Sequence, residues 1–148
     1  MRIYLPLTDP DRPVLESAGR VIDLERGRPG WAVTAEARGD RPEQDEEDLE
    51  YEALQDAAHV ALRAVGAASR ALVIAADVPD RAVEAAEEEG GAFGLRLREA
   101  CSARIASFHV TELDAASAEQ DDTDPALLWL DASEGTEALA FLDGARLD

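Results

Sequence analysis

The sequence predicts an α+β protein: a single layered domain, residues 1–148, with a mixed β-sheet of about five to six short strands and helices packed against it. Three observations point there. Segments with apolar residues at every second position alternate along the chain with segments of helical period. One run, Leu72 to Ala76, is apolar throughout and ends at an Asp and a Pro–Asp turn, which suits a central strand buried on both faces. At 148 residues, 46% of them apolar, the chain can bury a core without metal or disulfide support. Only 5% of it is aromatic, so Leu, Val and Ala must fill that core.

Taken in order, Arg2 to Thr8 sets Ile3, Leu5 and Leu7 against Arg2 and Tyr4, the pattern of a half-buried strand. Pro6 argues for an edge or a strand end. "DPDRPVLESAG" reads as a short helix stopped by Gly19, "RVIDLERGRPG" as a turn-rich connector, and Trp31 to Thr34 as a short strand. Residues 35–44 read as a polar loop or a frayed helical turn. A long helix follows, then the apolar strand, then "DRAVEAAEEEGG" as a helix capped by Asp80 and stopped by Gly90–Gly91. "AFGLRLREA" and "ARIASFHVTEL" alternate as strands, the second placing Phe108 and Val110 opposite Ser107, His109 and Thr111. Residues 114–125, charged and rich in small side chains, are expected to form a flexible loop. "ALLWLDAS" reads as a last strand, and "EGTEALAFLDG" as a closing helix capped by Ser133.

The long helix, "DEEDLEYEALQDAAHVALRAVGAAS" (45–69), is unusual. Wound at about 100° per residue, it gathers Tyr51, Leu54, Ala58, Ala61, Leu62 and Val65 on an expected core stripe. Asp45, Asp48, Glu52, Asp56, His59 and Arg63 form a polar stripe. Ala53, Ala57, Val60, Ala64 and Ala67 form a third, small-residue stripe roughly opposite the first. An ordinary surface helix has one apolar and one polar side; here a thin hydrated strip separates two apolar flanks. The stripe of Ala53, Ala57, Val60 and Ala64 is expected to pack another helix, from residues 80–89 or from a second subunit in a homodimer. The "DEED" run matches the positive end of the helix dipole, a structural role.

Composition narrows the partners. There are 33 acidic residues against 14 basic ones, a net charge of −19, and every basic residue is Arg. Such a field repels phosphates and anionic lipid, so neither nucleic acid nor a membrane is an expected partner. The absence of Lys and Asn fits a G+C-rich genome or a salt-adapted one. No apolar run approaches the roughly 20 residues that span a bilayer, the N-terminus lacks the signal-peptide pattern, and a lone Cys101 fits a reducing cytoplasm.

Chemistry-bearing residues are few. Asp56 and His59 share a turn of the hydrated strip and could pair as a base and its orienting carboxylate. His109 could line a pocket at the sheet edge with Tyr4, Glu112 or Asp77, the arrangement a small enzyme would need. Two His 50 residues apart and one Cys give no zinc spacing, "DDTDP" lacks the glycine and glutamate of a calcium loop, and "LVIAADVPD" has no phosphate-cradling glycine loop to accompany it. No metal and no cofactor is expected. Cys101 is expected to be a packing cysteine, with a thiolate favoured by Arg98 and Arg104 as the alternative. Arg96 and Arg98, on the outer side of their strand, are expected to be solvated residues paired with neighbouring Glu, with an anchor for an acidic ligand or partner as the alternative.

The strings "MRIYLP", "WAVTAEAR" followed by "DEEDLEYEAL", "RALVIAADVPD" and the late "LLWLD" resemble a family of small acidic proteins from actinobacteria, known as a domain of unknown function. The likeness runs from Met1 to about Asp131. It departs after "AVT", where "AEARGDRPEQ" stands in place of an expected proline and an aromatic-bearing helix start. The resemblance implies the genomic explanation of the missing Lys and carries no activity. The expectation is an uncharacterised cytoplasmic protein, a non-enzymatic binding or interaction module, with a small enzyme built on His109 as the alternative.

Overall fold

The computed structural model describes residues 1–144; residues 145–148, the end of the expected domain, lie outside the described ones. The strands are β1 (Arg2–Pro6), β2 (Val21–Leu24), β3 (Pro29–Trp31), β4 (Leu72–Asp77), β5 (Val83–Ala85), β6 (Gly94–Leu97), β7 (Cys101–Thr111) and β8 (Leu127–Asp131). They form one sheet in the order β2-β7-β4-β1-β3-β6-β5, with β8 also paired to β7. The helices are α1 (Arg12–Glu16), α2 (Ala35–Asp40), α3 (Glu46–Ala64), α4 (Glu87–Gly90), α5 (Ala115–Glu119) and α6 (Gly135–Leu142).

The class is α+β, with two corrections. Among the described residues the sheet has eight strands rather than five or six, and its neighbouring pairs are antiparallel rather than mixed. The long crossover, α3, links β3 to β4 over the intervening β1. The parallel relation it creates is therefore between strands that do not touch, and a parallel neighbour would need such a crossover directly. The extra strands are short. β2 lies in the segment read as a connector, and β5 falls inside "DRAVEAAEEEGG", where Ala and Glu favour helix but pairing with β6 prevails. Only Glu87–Gly90 of that segment is α-helical.

Central β4 is buried along Leu72–Ala76, between β1 and β7. A register shift at Ala75/Ala76 lets the 11-residue β7 follow it. One face of the sheet packs Ile3, Leu5, Leu72, Ile74, Phe108 and Val110 under α1 and α6. Gly135 permits the α1–α6 approach, since a Cβ there would lie 3.0 Å from the Leu15 carbonyl oxygen. The α6 end is tied by Arg70, whose guanidinium donates to the Phe141 carbonyl and stacks 4.1 Å from that ring's centre. The other face packs Tyr4, Trp31, Val73 and Ala75 under α3, which crosses β1, β3 and β4.

Helix α3 begins where the acids predict. Asp45 caps it, its carboxylate accepting from the Asp48 N–H at 2.9 Å. The buried side is wider than the expected core stripe and is shifted from it. Leu49, Ala53, Gln55, Ala57, Ala58, Ala61 and Leu62 are buried, while Tyr51 is 51% exposed. The closing helix is preceded by Glu134 at its N-cap rather than Ser133, whose hydroxyl instead donates to Asp131 in the turn after β8.

Candidate functional site

The hydrated strip of α3 forms part of the wall of a cleft of about 920 Å³. Asp56, His59 and Arg63 stand on the α3 side. Glu119, Asp121, Thr123 and Pro125 stand opposite, on the segment that includes α5. Val60, Leu62, Val65, Ala115 and Ala118 supply apolar lining. Residues 114–125, expected as a loop, carry this short helix, capped by Asp114 through the Ser117 N–H.

Several contacts hold that segment against α3 and the turn that follows it. The Ala115 and Ala116 amides donate to the carbonyls of Ser69 and Ala67, both at 2.9 Å. The buried Gln55 side chain donates to the Pro125 carbonyl at 3.2 Å, and Tyr51 reaches Asp124 at 3.5 Å. His59 Nε2 lies 4.0 Å from Asp124. Burial raises the Asp56 carboxyl above its usual range, with the neighbouring His59 pulling the other way. Three carboxylates therefore face one guanidinium and one imidazole in a cleft with apolar lining. Chemically, that arrangement suits a cation with an aliphatic body.

His109 lies elsewhere. It sits on β7, on the α3 side of the sheet, with its Nε2 2.9 Å from Ser107 Oγ and its ring edge-on to Tyr4 at 6.5 Å. Burial, and secondarily Arg2, lower its pKa to about 4, so the ring is neutral near pH 7. Burial also drives the Tyr4 hydroxyl up to about 12, reinforced by Glu50. Ser107 is buried, and among the described residues no carboxylate hydrogen-bonds to the imidazole. Neither the cleft nor two smaller ones, of about 500 and 300 Å³, reaches His109. The two sequence candidates Asp56 and His59 thus share a site, and His109 stands apart from them.

The remaining candidates are dispersed. Arg96 and Arg98 approach the same Glu84 carboxylate, at 2.8 and 3.9 Å. Ala53 and Ala57 are fully buried within the monomer and Val60 is partly buried, whereas Ala64 is exposed. Ala53 and Ala57, with Val60 at their margin, join Tyr4, Trp31, Val73 and Ala75 in the core beneath α3 rather than packing a helix over residues 80–89. The Cys101 thiol is pushed up by burial and by Glu99, so Arg98 and Arg104 do not make it a thiolate. Among the described residues no group of three or more His, Cys, Asp or Glu side chains is arranged to hold a metal, and no helix is long and apolar enough to cross a membrane. Sequence reasoning passed over Glu119 and Asp121, whose place opposite α3 is set by contacts distant in the chain.

A family model matches residues 1–147. The chain belongs to DUF6912, a family of unknown function. This DUF6912 chain matches no curated protein and no solved structure. The family thus supplies no chemistry to place against the cleft, which has to be judged on its own side chains.

Proposed function

We propose that the protein is a non-enzymatic, cytoplasmic binding module whose α3 cleft takes a cationic ligand with an aliphatic body, such as an oligoamine or a Lys-rich segment of a partner. One observation carries this reading: Asp56, Glu119 and Asp121 converge on a cleft of about 920 Å³ with apolar lining, in a chain of net charge −19. The long-range field concentrates cations near the surface, and the cleft selects among them by shape. The cytoplasmic assignment is supported by the lone Cys101.

Spermidine titrated by calorimetry tests the cleft. Asp121→Asn together with Glu119→Gln is expected to weaken binding about tenfold, while neutralising Asp9, which lies outside the cleft, leaves it within twofold. Equal losses from both would mean that the net charge alone attracts the amine, and the cleft reading would fail.

The rival reading, a small enzyme built on His109, draws support from the 2.9 Å Ser107–His109 contact, in which a neutral imidazole can accept the hydroxyl proton. Against it stand the burial of Ser107 and the lack of a carboxylate to orient the ring. Labelling of Ser107 by a fluorophosphonate, lost in His109→Gln, would revive it.

A further inference from the structure

The edge of the sheet formed by β8 and β2 presents backbone and side chains together. Both strands pair with β7 on the side away from β4: β8 with Ser107–Thr111, and β2 with Cys101–Arg104. They run end to end along one edge. The Thr111 N–H donates to Ala71 beyond β4, and the Glu112 N–H donates to Ala126 beside β8. Antiparallel alternation then turns residues 128 and 130 toward β7, and the N–H and C=O of Leu127, Trp129 and Asp131 outward. The Ile105 N–H donates to the Arg20 carbonyl, so by the same alternation Val21 and Asp23 also face outward. The Asp131 amide is taken by Glu134 at 2.9 Å, which leaves Leu127 and Trp129 as the open pairing positions of β8 among the described residues.

The same residues share one face. Leu130, Ile22 and Leu24 point into the core under α1 and α6, so Trp129, Asp131, Val21 and Asp23 stand on the α3 side, beyond the reach of α3. Trp129 is 59% exposed and Val21 52%, and the carboxylates Asp131 and Asp23 alternate with them. Among the described residues Arg20 and Arg104 are cations nearby, the first acting on Asp131 and the second sitting opposite Val21. A large exposed aromatic on an open edge is a liability for a monomer and a handle for a strand-like partner.

We infer that this edge binds an extended, Arg- or Lys-bearing segment of a partner protein. The segment adds a strand beside β8, stacks a cationic side chain on Trp129 and sets further cations near Asp131 and Asp23. Charge decides between this occupant and a second copy of the chain. Two copies would bring −19 against −19, and only two open pairing residues on each β8 would oppose that repulsion. The inference stands without the cleft.

The test uses the full chain and a hexapeptide alternating Arg and Val, with affinity read by calorimetry. Trp129 emission gives a second readout, because the chain's other tryptophan, Trp31, is buried. The peptide is expected to bind and to shift Trp129 emission. Trp129→Ala should weaken it at least tenfold, Asp131→Asn with Asp23→Asn by about fivefold, and Glu119→Gln in the cleft by less than twofold. Methylating alternate peptide amides should abolish binding. Equal binding by the methylated peptide, or indifference to Trp129→Ala, would overturn the inference. So would a wild-type dimer that Trp129→Ala renders monomeric. A loss with Glu119→Gln instead would locate the peptide in the cleft and not at the edge.

Discussion

The two faces of the sheet are built from different materials. Under α1 and α6 lie branched aliphatics and Phe108, and that face is dry. Under α3 lie alanines from the helix against Tyr4, Trp31, Val73 and Ala75, and the same face carries Ser107, His109 and Thr111 on β7. Small side chains bring α3 close to the strands it covers, but one helix cannot roof the whole sheet. Past its flank the sheet keeps polar groups, the cleft and the exposed Trp129 edge. One face is a continuous aliphatic core, and the other combines a second, alanine-rich core with exposed polar surface.

The largest effect expected from breaking that contrast is on the dry face. Phe108→Ala should cost about 3–5 kcal/mol through lost transfer energy and a cavity, read as a lower midpoint in urea unfolding. Close behind is the ion pair at the edge of that face, where Arg28 donates to both Asp11 oxygens at 2.9 and 2.7 Å. Burial there opposes ionisation, yet Arg28 and the Thr8 amide hold the Asp11 carboxyl below its usual range. Asp11→Ala strands a buried guanidinium and should cost about 3 kcal/mol. The contribution of the pair is present above the unfolded carboxylate pKa of about 4 and is lost as acid brings the pH down through the lower folded value.

On the α3 face the sharpest probe is pH. A His109 pKa of about 4, against about 6.5 unfolded, means that the unfolded chain takes up a proton first. Stability is complete above pH 6.5 and falls as the pH drops toward 4, by up to about 3 kcal/mol from this group. Unfolding of wild type and His109→Gln across pH 4–7 should diverge by that slope. Parallel curves would mean that the ring is hydrated. Ala57→Leu, at a fully buried position, should cost about 1–3 kcal/mol by overpacking with the mass unchanged. Trp129→Ala, at the open edge, should stay within about 0.5 kcal/mol, read in the same urea assay.

Much of the fold was legible because its signals are local. The Leu72–Ala76 run, the alternation through Phe108 and Val110, and the acidic start of α3 each depend on residues close in sequence. β2 and β5 were not legible, since four- and three-residue strands are defined by the partners they meet. Tyr51 illustrates the same limit on α3: helical period placed it on the core stripe, but it stands beyond the sheet and faces Asp124.

By itself the sequence determined the α+β class, the acidity, the start of α3 and the placing of Asp56 and His59 on one turn of it. Periodicity, capping and charge are properties of neighbours along the chain. Tertiary structure alone decided that the sheet has eight strands among the described residues, with antiparallel neighbours, that Glu119 and Asp121 face Asp56 across a cleft, and that His109 is kept neutral away from it. Those outcomes depend on which surfaces pack against which, and packing brings together residues tens of positions apart.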